Sequence, residues 1–247
     1  MDRAADRPAR ADAIVVAAHN EAERVAATLA ALARAFPGTP IWVADDGSRD
    51  ATAEIAAAAG ARVVRSADVI GKGAAVTHAA RDALRDTRAP APDPPQDARD
   101  RDRRSVFVLC DGDLGDSAAR LGALADAVAR GDGDVAVAIF ARRVGGGFGL
   151  ALGFARWAIR RRTRGLRTSA PVSGQRALSR HALEDVLPFA DGFGMEIGIT
   201  IDAVRAGHRL VEIELDLDHR AGGRTLAGFV HRARQLLDFA RAYRSRR

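Results

Sequence analysis

The residues best suited to chemistry are two aspartates, Asp111 and Asp113, separated by one glycine. They directly follow the apolar run 106–110, which has the character of a buried strand. Carboxylates one residue apart at a strand end supply hard oxygen ligands, which Mg²⁺ and Mn²⁺ accept together with a diphosphate. Asp-Gly-Asp is also an ordinary turn sequence, so the pair alone is a weak signal. Its weight depends on the residues around it.

Polar residues also follow two earlier apolar runs. Asn20 and Glu21 come after the run 13–17, and Asp46 comes after the run 41–44. In a doubly wound sheet, ligands bind beyond the carboxyl ends of the strands, so we expect these side chains to meet at one edge. A helix-capping turn is the ordinary alternative for the aspartates at the second strand end.

Lys72 is the only lysine of the chain and stands between two glycines at a predicted helix start. There its charge and the free backbone N–H groups can meet an anion together. The ordinary alternative is an exposed surface charge. No G-x-G-x-x-G follows the first strand and no phosphate-loop motif occurs, which argues against a dinucleotide site and a P-loop nucleotide site.

The elements that must position these residues alternate between strand and helix. This alternation predicts a single α/β domain with a mostly parallel central sheet flanked by helices. We predict a disordered tail at 1–11, the domain at 12–220 with a disordered, Pro- and charge-rich insert at 86–104, and a basic helix at 221–247.

Composition sets the broad class. The 247 residues are 47% hydrophobic, enough for a sizeable core, and carry a net charge of +6. No apolar run approaches the roughly 20 residues that span a bilayer. The single cysteine, Cys110, fits a reducing cytoplasm and is expected to be a small buried hydrophobe. An aromatic content of 5% and the lack of a groove-reading motif argue against nucleic acid as a partner.

Four segments, 14–21, 43–52, 71–73 and 111–113, resemble the family 2 glycosyltransferases of GT-A fold. The resemblance implies a GT-A-like, Rossmann-like domain, a hexose donor linked to UDP or GDP, and a divalent metal, Mg²⁺ or Mn²⁺. The positions that would hold the donor are Ala17, Asn20, Glu21, Asp46, Lys72, Asp111 and Asp113. Asp111 would lie near the ribose and Asp113 on the metal.

The second half resembles two branches of that family. Segments 192–198 and 218–220 are similar to glucosyl-3-phosphoglycerate synthases, which implies Glu196 near the sugar and His219 as a second metal ligand. Segment 173–178 is similar to dolichyl- or polyprenyl-phosphate sugar transferases and implies acceptor binding at Gly174, Gln175 and Arg176. The predicted acceptor therefore carries phosphate, as 3-phosphoglycerate or a polyprenyl phosphate does. The predicted catalytic residues are Glu196, Lys72 and Asp113.

Other interpretations stay open from the residues alone. A nucleotidyltransferase of similar fold also uses paired acidic residues and a metal. A non-enzymatic basic module binding a membrane surface would suit the arginine-rich helix predicted at 149–164, whose basic face could equally be solvated or bind a phosphorylated acceptor. Peripheral contact with the inner membrane face and a homodimer are the further partner predictions.

Overall fold

The computed structural model describes residues 9–87, 105–141, 149–218, 238–239 and 241–245. Within these ranges the chain forms one seven-stranded sheet with helices on both faces. The strands are β1 (Ala13–Ala18), β2 (Ile41–Asp45), β3 (Arg62–Arg65), β4 (Val106–Asp111), β5 (Val135–Phe140), β6 (Arg176–Ser179) and β7 (Leu210–Leu215). Their order across the sheet is β3-β2-β1-β4-β6-β5-β7.

Six strands run in one direction and β6 runs against them. The pairs β1–β2, β1–β4, β2–β3 and β5–β7 are parallel, whereas β6 pairs antiparallel with β4 and β5. The register places Ala17 beside Asp111 and Ala18 beside Asp45, so the first, second and fourth strands end at one level. Because β6 is reversed, the chain that enters it arrives at this same edge.

The helices are α1 (Val25–Ala35), α2 (Thr52–Ala58), α3 (Lys72–Asp86), α4 (Gly122–Arg130), α5 (Gly149–Arg162), α6 (Arg180–Val186) and α7 (Met195–Arg205). Short 3₁₀ turns at Gly115–Leu121 and Gly192–Gly194 precede α4 and α7. No helix among the described residues is both long and apolar enough to span a bilayer.

Alternation along the strands divides the core into two layers. Ile14, Val16 and Val108 face the layer that contains α1 and α4, and Val15 and Leu109 face the layer that contains α3, α6 and α7. A smaller third cluster joins α5 to α7 and to Phe239. The sheet is therefore buried on both faces, which explains why its central strands are continuous apolar runs.

The predicted mostly parallel α/β sheet is confirmed, and β1, β2 and β4 coincide with the apolar runs 13–17, 41–44 and 106–110. β6 and α6 were not predicted, because four buried residues in Arg176–Ser179 carry no period-2 signal. Residues 1–8 of the predicted tail, 88–104 of the predicted insert and most of the predicted C-terminal helix lie outside the described residues. The domain boundaries stay predictions.

Candidate active site

Lys72 joins two carboxylates that come from distant parts of the chain. Its Nζ lies 2.6 Å from Oδ1 of Asp111, the last residue of β4, and 2.7 Å from Oε1 of Glu196, in the first turn of α7. The side chains are 25% exposed for Lys72 and 7% for Glu196, so the pairs are only partly open to solvent. We refer to Lys72, Asp111 and Glu196 as the ion cluster.

The ion cluster keeps the lysine charged. Burial on its own lowers the pKa of Lys72, but the charges of Asp111 and Glu196 and their hydrogen bonds outweigh that effect and raise it above the usual range of lysine. Lys72 is therefore a fixed cation at neutral pH. In contrast, burial raises the pKa of the neighbouring Cys110, so that thiol stays protonated and is a poor nucleophile.

The segment that leads into β6 binds the second carboxylate oxygen of Asp111. Gln175 is buried and its Nε2 donates to Oδ2 of Asp111 at 2.9 Å. A Cβ placed on Gly174 would lie 2.7 Å from that oxygen and 2.8 Å from Nζ of Lys72. Only glycine fits this position without moving the ion cluster. Two residues predicted to bind the acceptor thus border the predicted donor residues.

Asp46 fixes the backbone from which Lys72 projects. Its Oδ1 accepts hydrogen bonds from the N–H groups of Ile70, at 2.7 Å, and Gly71, at 3.0 Å, immediately before α3. The next glycine, Gly73, packs so tightly that a Cβ there would lie 1.8 Å from the carbonyl oxygen of Ala190. These contacts set the position of Lys72 relative to the segment that carries Glu196.

The loop after β1 is tied to the loop after β2. His19 Nδ1 lies 2.7 Å from the carbonyl oxygen of Asp46, and the backbone N–H of Asn20 donates to Ser48 Oγ at 2.9 Å. Asn20 adopts a φ of 55°, in the left-handed region that asparagine tolerates better than most residues. The N–H of Glu21 donates to Thr52 Oγ1 at 2.8 Å. The two loops therefore form one rim at the carboxyl edge of the sheet.

Asp113 lies half-buried at the end of the Asp-Gly-Asp turn. Arg24 donates to its carbonyl oxygen at 2.7 Å, and Thr28 Oγ1 donates to that of Gly112 at 2.8 Å. The N–H of Gly112 in turn donates to Ala17 at 2.8 Å. These bonds hold the turn through its backbone.

His219, the second predicted metal ligand, lies outside the described residues. Among the residues that are described, no group of three His, Cys, Asp or Glu side chains is arranged to enclose a metal. The described part of the site therefore supplies a single carboxylate at the predicted metal position, Asp113.

Arg176 is buried beneath the site, with 1% of its surface exposed. Its Nε donates to the carbonyl oxygen of Ser173 and one terminal nitrogen donates to Thr200 Oγ1, both at 2.9 Å. Thr200 Oγ1 donates to the carbonyl oxygen of Glu196, one turn earlier. Burial lowers the pKa of Arg176 to about 10, although the charge of Glu196 opposes that shift. This guanidinium braces the first turn of α7.

Comparison with known protein families assigns the chain to one of them. The family described as glycosyl transferase family 2 matches residues 13–187. The chain belongs to glycosyl transferase family 2. The matched region holds Asp46, Lys72, Asp111 and Asp113, whereas Glu196 and His219 lie beyond it. This chain is therefore a glycosyltransferase, as the sequence motifs predicted.

Solved structures give a similar result. Glucosyl-3-phosphoglycerate synthase from Mycobacterium tuberculosis, in complex with Mn²⁺, UDP and phosphoglyceric acid, is 25% identical with a TM-score of 0.69 over 95% of this chain and 78% of that one. The complex with Mn²⁺, UDP-glucose and phosphoglyceric acid is 25% identical, with a TM-score of 0.67 over 96% and 79%. A mycobacterial protein is 26% identical, with a TM-score of 0.69 over 94% and 74%. No curated protein sequence matches the chain.

The predicted GT-A-like fold of this glycosyltransferase is thus confirmed. The structure brings together Lys72, Asp111, Glu196, Gly174 and Gln175, and it places Asp46 behind Lys72. Sequence reasoning did not identify Thr28 of α1 and Arg24, the residue that precedes α1, which hold the Asp-Gly-Asp turn. Their signal was weak, because a threonine in an amphipathic helix and an arginine before it are unremarkable. The individual site roles stay predictions.

Proposed function

We propose that this glycosyltransferase moves a hexose from a UDP- or GDP-linked donor to a phosphate-bearing acceptor with the help of a divalent metal. The observation that carries the proposal is the ion cluster, in which a permanently charged lysine lies between two carboxylates at the ligand-binding edge of the sheet. The complexes of the mycobacterial synthase with Mn²⁺, UDP-glucose and phosphoglyceric acid support this choice of donor, metal and acceptor class.

The charge balance of the site suits a metal. Asp111 and Glu196 bring two carboxylates against the one ammonium of Lys72, so a diphosphate would meet a net negative charge at the ion cluster. Mg²⁺ and similar ions commonly take one or two carboxylates and complete their shell with substrate phosphates and water. Asp113 and His219 would hold the ion. When bound, the metal would offset the charge that develops on the departing diphosphate.

Lys72 supplies a second positive charge to the leaving group. Its ammonium is held by Asp111 and Glu196 before any substrate arrives, so little reorganisation is needed when charge develops. Glu196 has two candidate roles. It would act as general base if the acceptor is a hydroxyl, and it would orient the sugar if the acceptor is itself a phosphate. Asp111, held by Gln175, would accept a ribose hydroxyl.

The donor nucleoside would lie on the rim formed by the loops after β1 and β2. Asn20 and Glu21 belong to this rim, Ala17 lies next to it near the end of β1, and Asn20 is exposed. The acceptor would approach from Gly174 and Gln175. Arg176 is buried and braces α7, so we propose that it serves the reaction through Glu196 rather than by touching the acceptor.

The test is product formation with paired donors and acceptors. UDP-glucose and GDP-glucose are each offered with 3-phosphoglycerate or a short polyprenyl phosphate, with Mn²⁺, Mg²⁺ or a chelator. We expect a glycosylated product from one donor in the presence of metal. The absence of any product or hydrolysed sugar across all combinations would refute the proposal. Release of pyrophosphate from a nucleoside triphosphate and a sugar phosphate would instead identify a nucleotidyltransferase.

Asp113→Ala tests the metal position with a readout besides turnover. We expect the variant to lose the rise in melting temperature that UDP with Mn²⁺ gives the wild type. Asp116→Ala is the matched control, because this aspartate lies three residues on, is 87% exposed and forms an ion pair with the surface residue Arg34. Equal metal-dependent rises in melting temperature in both variants would show that Asp113 does not hold the metal. A cytoplasmic location and a homodimer stay predictions from the sequence.

A further inference from the structure

The outward face of α5 differs from the rest of the surface. Its buried side contributes Ala155 and Ile159, which pack on Ile197 and Ile201 of α7. The opposite side exposes Arg156, Trp157, Arg160 and Arg161, at the three- and four-residue spacing of one helical stripe. We call these four residues the α5 basic face.

Among the described residues, the arginines of the α5 basic face have no acidic partners. Over the part of the chain that the structure describes, Arg156, Arg160 and Arg161 form no ion pair. Many surface arginines elsewhere do pair with a carboxylate, namely Arg34, Arg62, Arg65, Arg85, Arg120 and Arg130. The sequence explains the difference, since no aspartate or glutamate occurs between Asp134 and Glu184. The positive charge of this face is therefore left for an external partner.

Trp157 gives this charged face an apolar centre. It is 50% exposed, and its ring packs in a tilted arrangement against Phe154, at 5.5 Å between centroids, and Tyr243, at 5.0 Å. Arg162 lies over the ring of Tyr243, 3.9 Å from its centroid, which holds that ring in place. A tryptophan anchored on one side and open on the other, flanked by arginines, has the chemistry that favours the headgroup level of a bilayer.

We propose that the α5 basic face is a docking surface for a bilayer containing anionic lipids. The arginines bind the headgroup phosphates and Trp157 enters the interface between headgroups and acyl chains. Docking there brings the membrane to the flank of α7, the helix whose first turn carries Glu196. A single exposed tryptophan on a convex helix favours a lipid surface over a nucleic acid, for which several stacking aromatics or a groove would be expected.

The test is co-sedimentation of the full chain with vesicles of phosphatidylcholine, with or without phosphatidylglycerol. We expect binding only to the anionic vesicles and weaker binding at high salt, because added ions screen the attraction. Arg160→Glu with Arg161→Glu should lower the partition coefficient by about thirtyfold or more, and Arg160→Lys with Arg161→Lys should retain most of it. Arg34→Glu with Arg130→Glu is the control, since it makes the same charge change on the opposite layer of the protein.

A second measurement places Trp157 in the bilayer. The chain has two tryptophans, so Trp42→Phe leaves Trp157 as the only indole fluorophore. We expect its emission to shift to the blue with anionic vesicles and to be protected from a water-soluble quencher. Equal vesicle binding by the charge-reversed pair and the control, or a stronger affinity for duplex DNA than for anionic vesicles, would overturn the proposal. The charge-reversed pair should keep its turnover of a soluble acceptor, which separates this surface from the proposed reaction.

Discussion

Replacing Lys72 with methionine tests the ion cluster most directly. The ammonium lies 2.7 Å from Glu196, where the Coulomb attraction at an effective dielectric near 20 is about 6 kcal/mol before any desolvation cost. Removing one partner of a buried pair leaves an uncompensated charge, which typically costs about 3 to 5 kcal/mol. Since Lys72 is 25% exposed and Asp111 reaches solvent, which screens the charges, we expect a loss at or below the lower end of that range, about 2 to 3 kcal/mol.

The loss should depend on pH in a defined direction. The raised pKa of Lys72 means that its stabilising effect is fully present below the ordinary lysine value of 10.5 and is lost only as the pH rises through the higher folded value. Between pH 7 and 9 the wild type should therefore keep the whole contribution. Because methionine does not titrate, the deficit of the variant should be constant over that range.

Urea unfolding followed by circular dichroism measures the deficit, and thermal unfolding should show a midpoint lower by roughly 4 to 12 °C. Glu196→Gln added to Lys72→Met should recover part of the stability, because it removes the charge left behind. Arg85→Met is the matched control, as Arg85 lies on the same helix and is largely exposed. A variant as stable as wild type at pH 7, or a deficit that shrinks between pH 7 and pH 9, would refute this account of the cluster.

Three further substitutions probe the supports of the cluster. Gly174→Ala places a methyl group against Asp111, and we expect kcat to fall at least about tenfold with little change in melting temperature, whereas unchanged kcat would contradict the packing. Asp46→Ala leaves the N–H of Gly71 without its acceptor, which should cost about 1 to 3 kcal/mol in urea unfolding, and a neutral result would show that this bond is dispensable. Arg176→Met should lower kcat more than it raises the KM for the acceptor. A larger effect on KM than on kcat would indicate that Arg176 binds the acceptor directly.

Much of the fold was predictable because its central strands are buried on both faces. Segments such as 13–17 and 106–110 are short, continuous apolar runs followed by polar loops, and this pattern has few other interpretations in an α/β chain. β6 escaped prediction because a four-residue strand beginning with arginine has no such pattern. Its pairing depends on the neighbours β4 and β5, which only the folded sheet supplies.

The site was predictable to the extent that it follows strand ends. Asp46 and Asp111 are predicted site residues because parallel strands finish together, and the register shows that β2 and β4 end level with each other on either side of β1. The contacts between these residues could not be predicted in the same way. The bond from Gln175 to Asp111 exists because β6 is reversed and delivers its incoming segment to the ligand edge. The sequence pattern does not indicate that β6 is a strand, so it cannot indicate the direction in which β6 runs.

Asp46 connects the two halves of the proposed donor site. Its carbonyl oxygen contacts His19 of the rim, and its carboxylate binds the backbone at Gly71, next to the lysine that would face the diphosphate. The carboxylate is almost fully buried and already accepts hydrogen bonds from backbone N–H groups, so its role is to hold the backbone in position. A nucleoside that moved the rim would therefore also move Lys72. This mechanical link gives a physical reason for an aspartate at this position even if it never touches the donor.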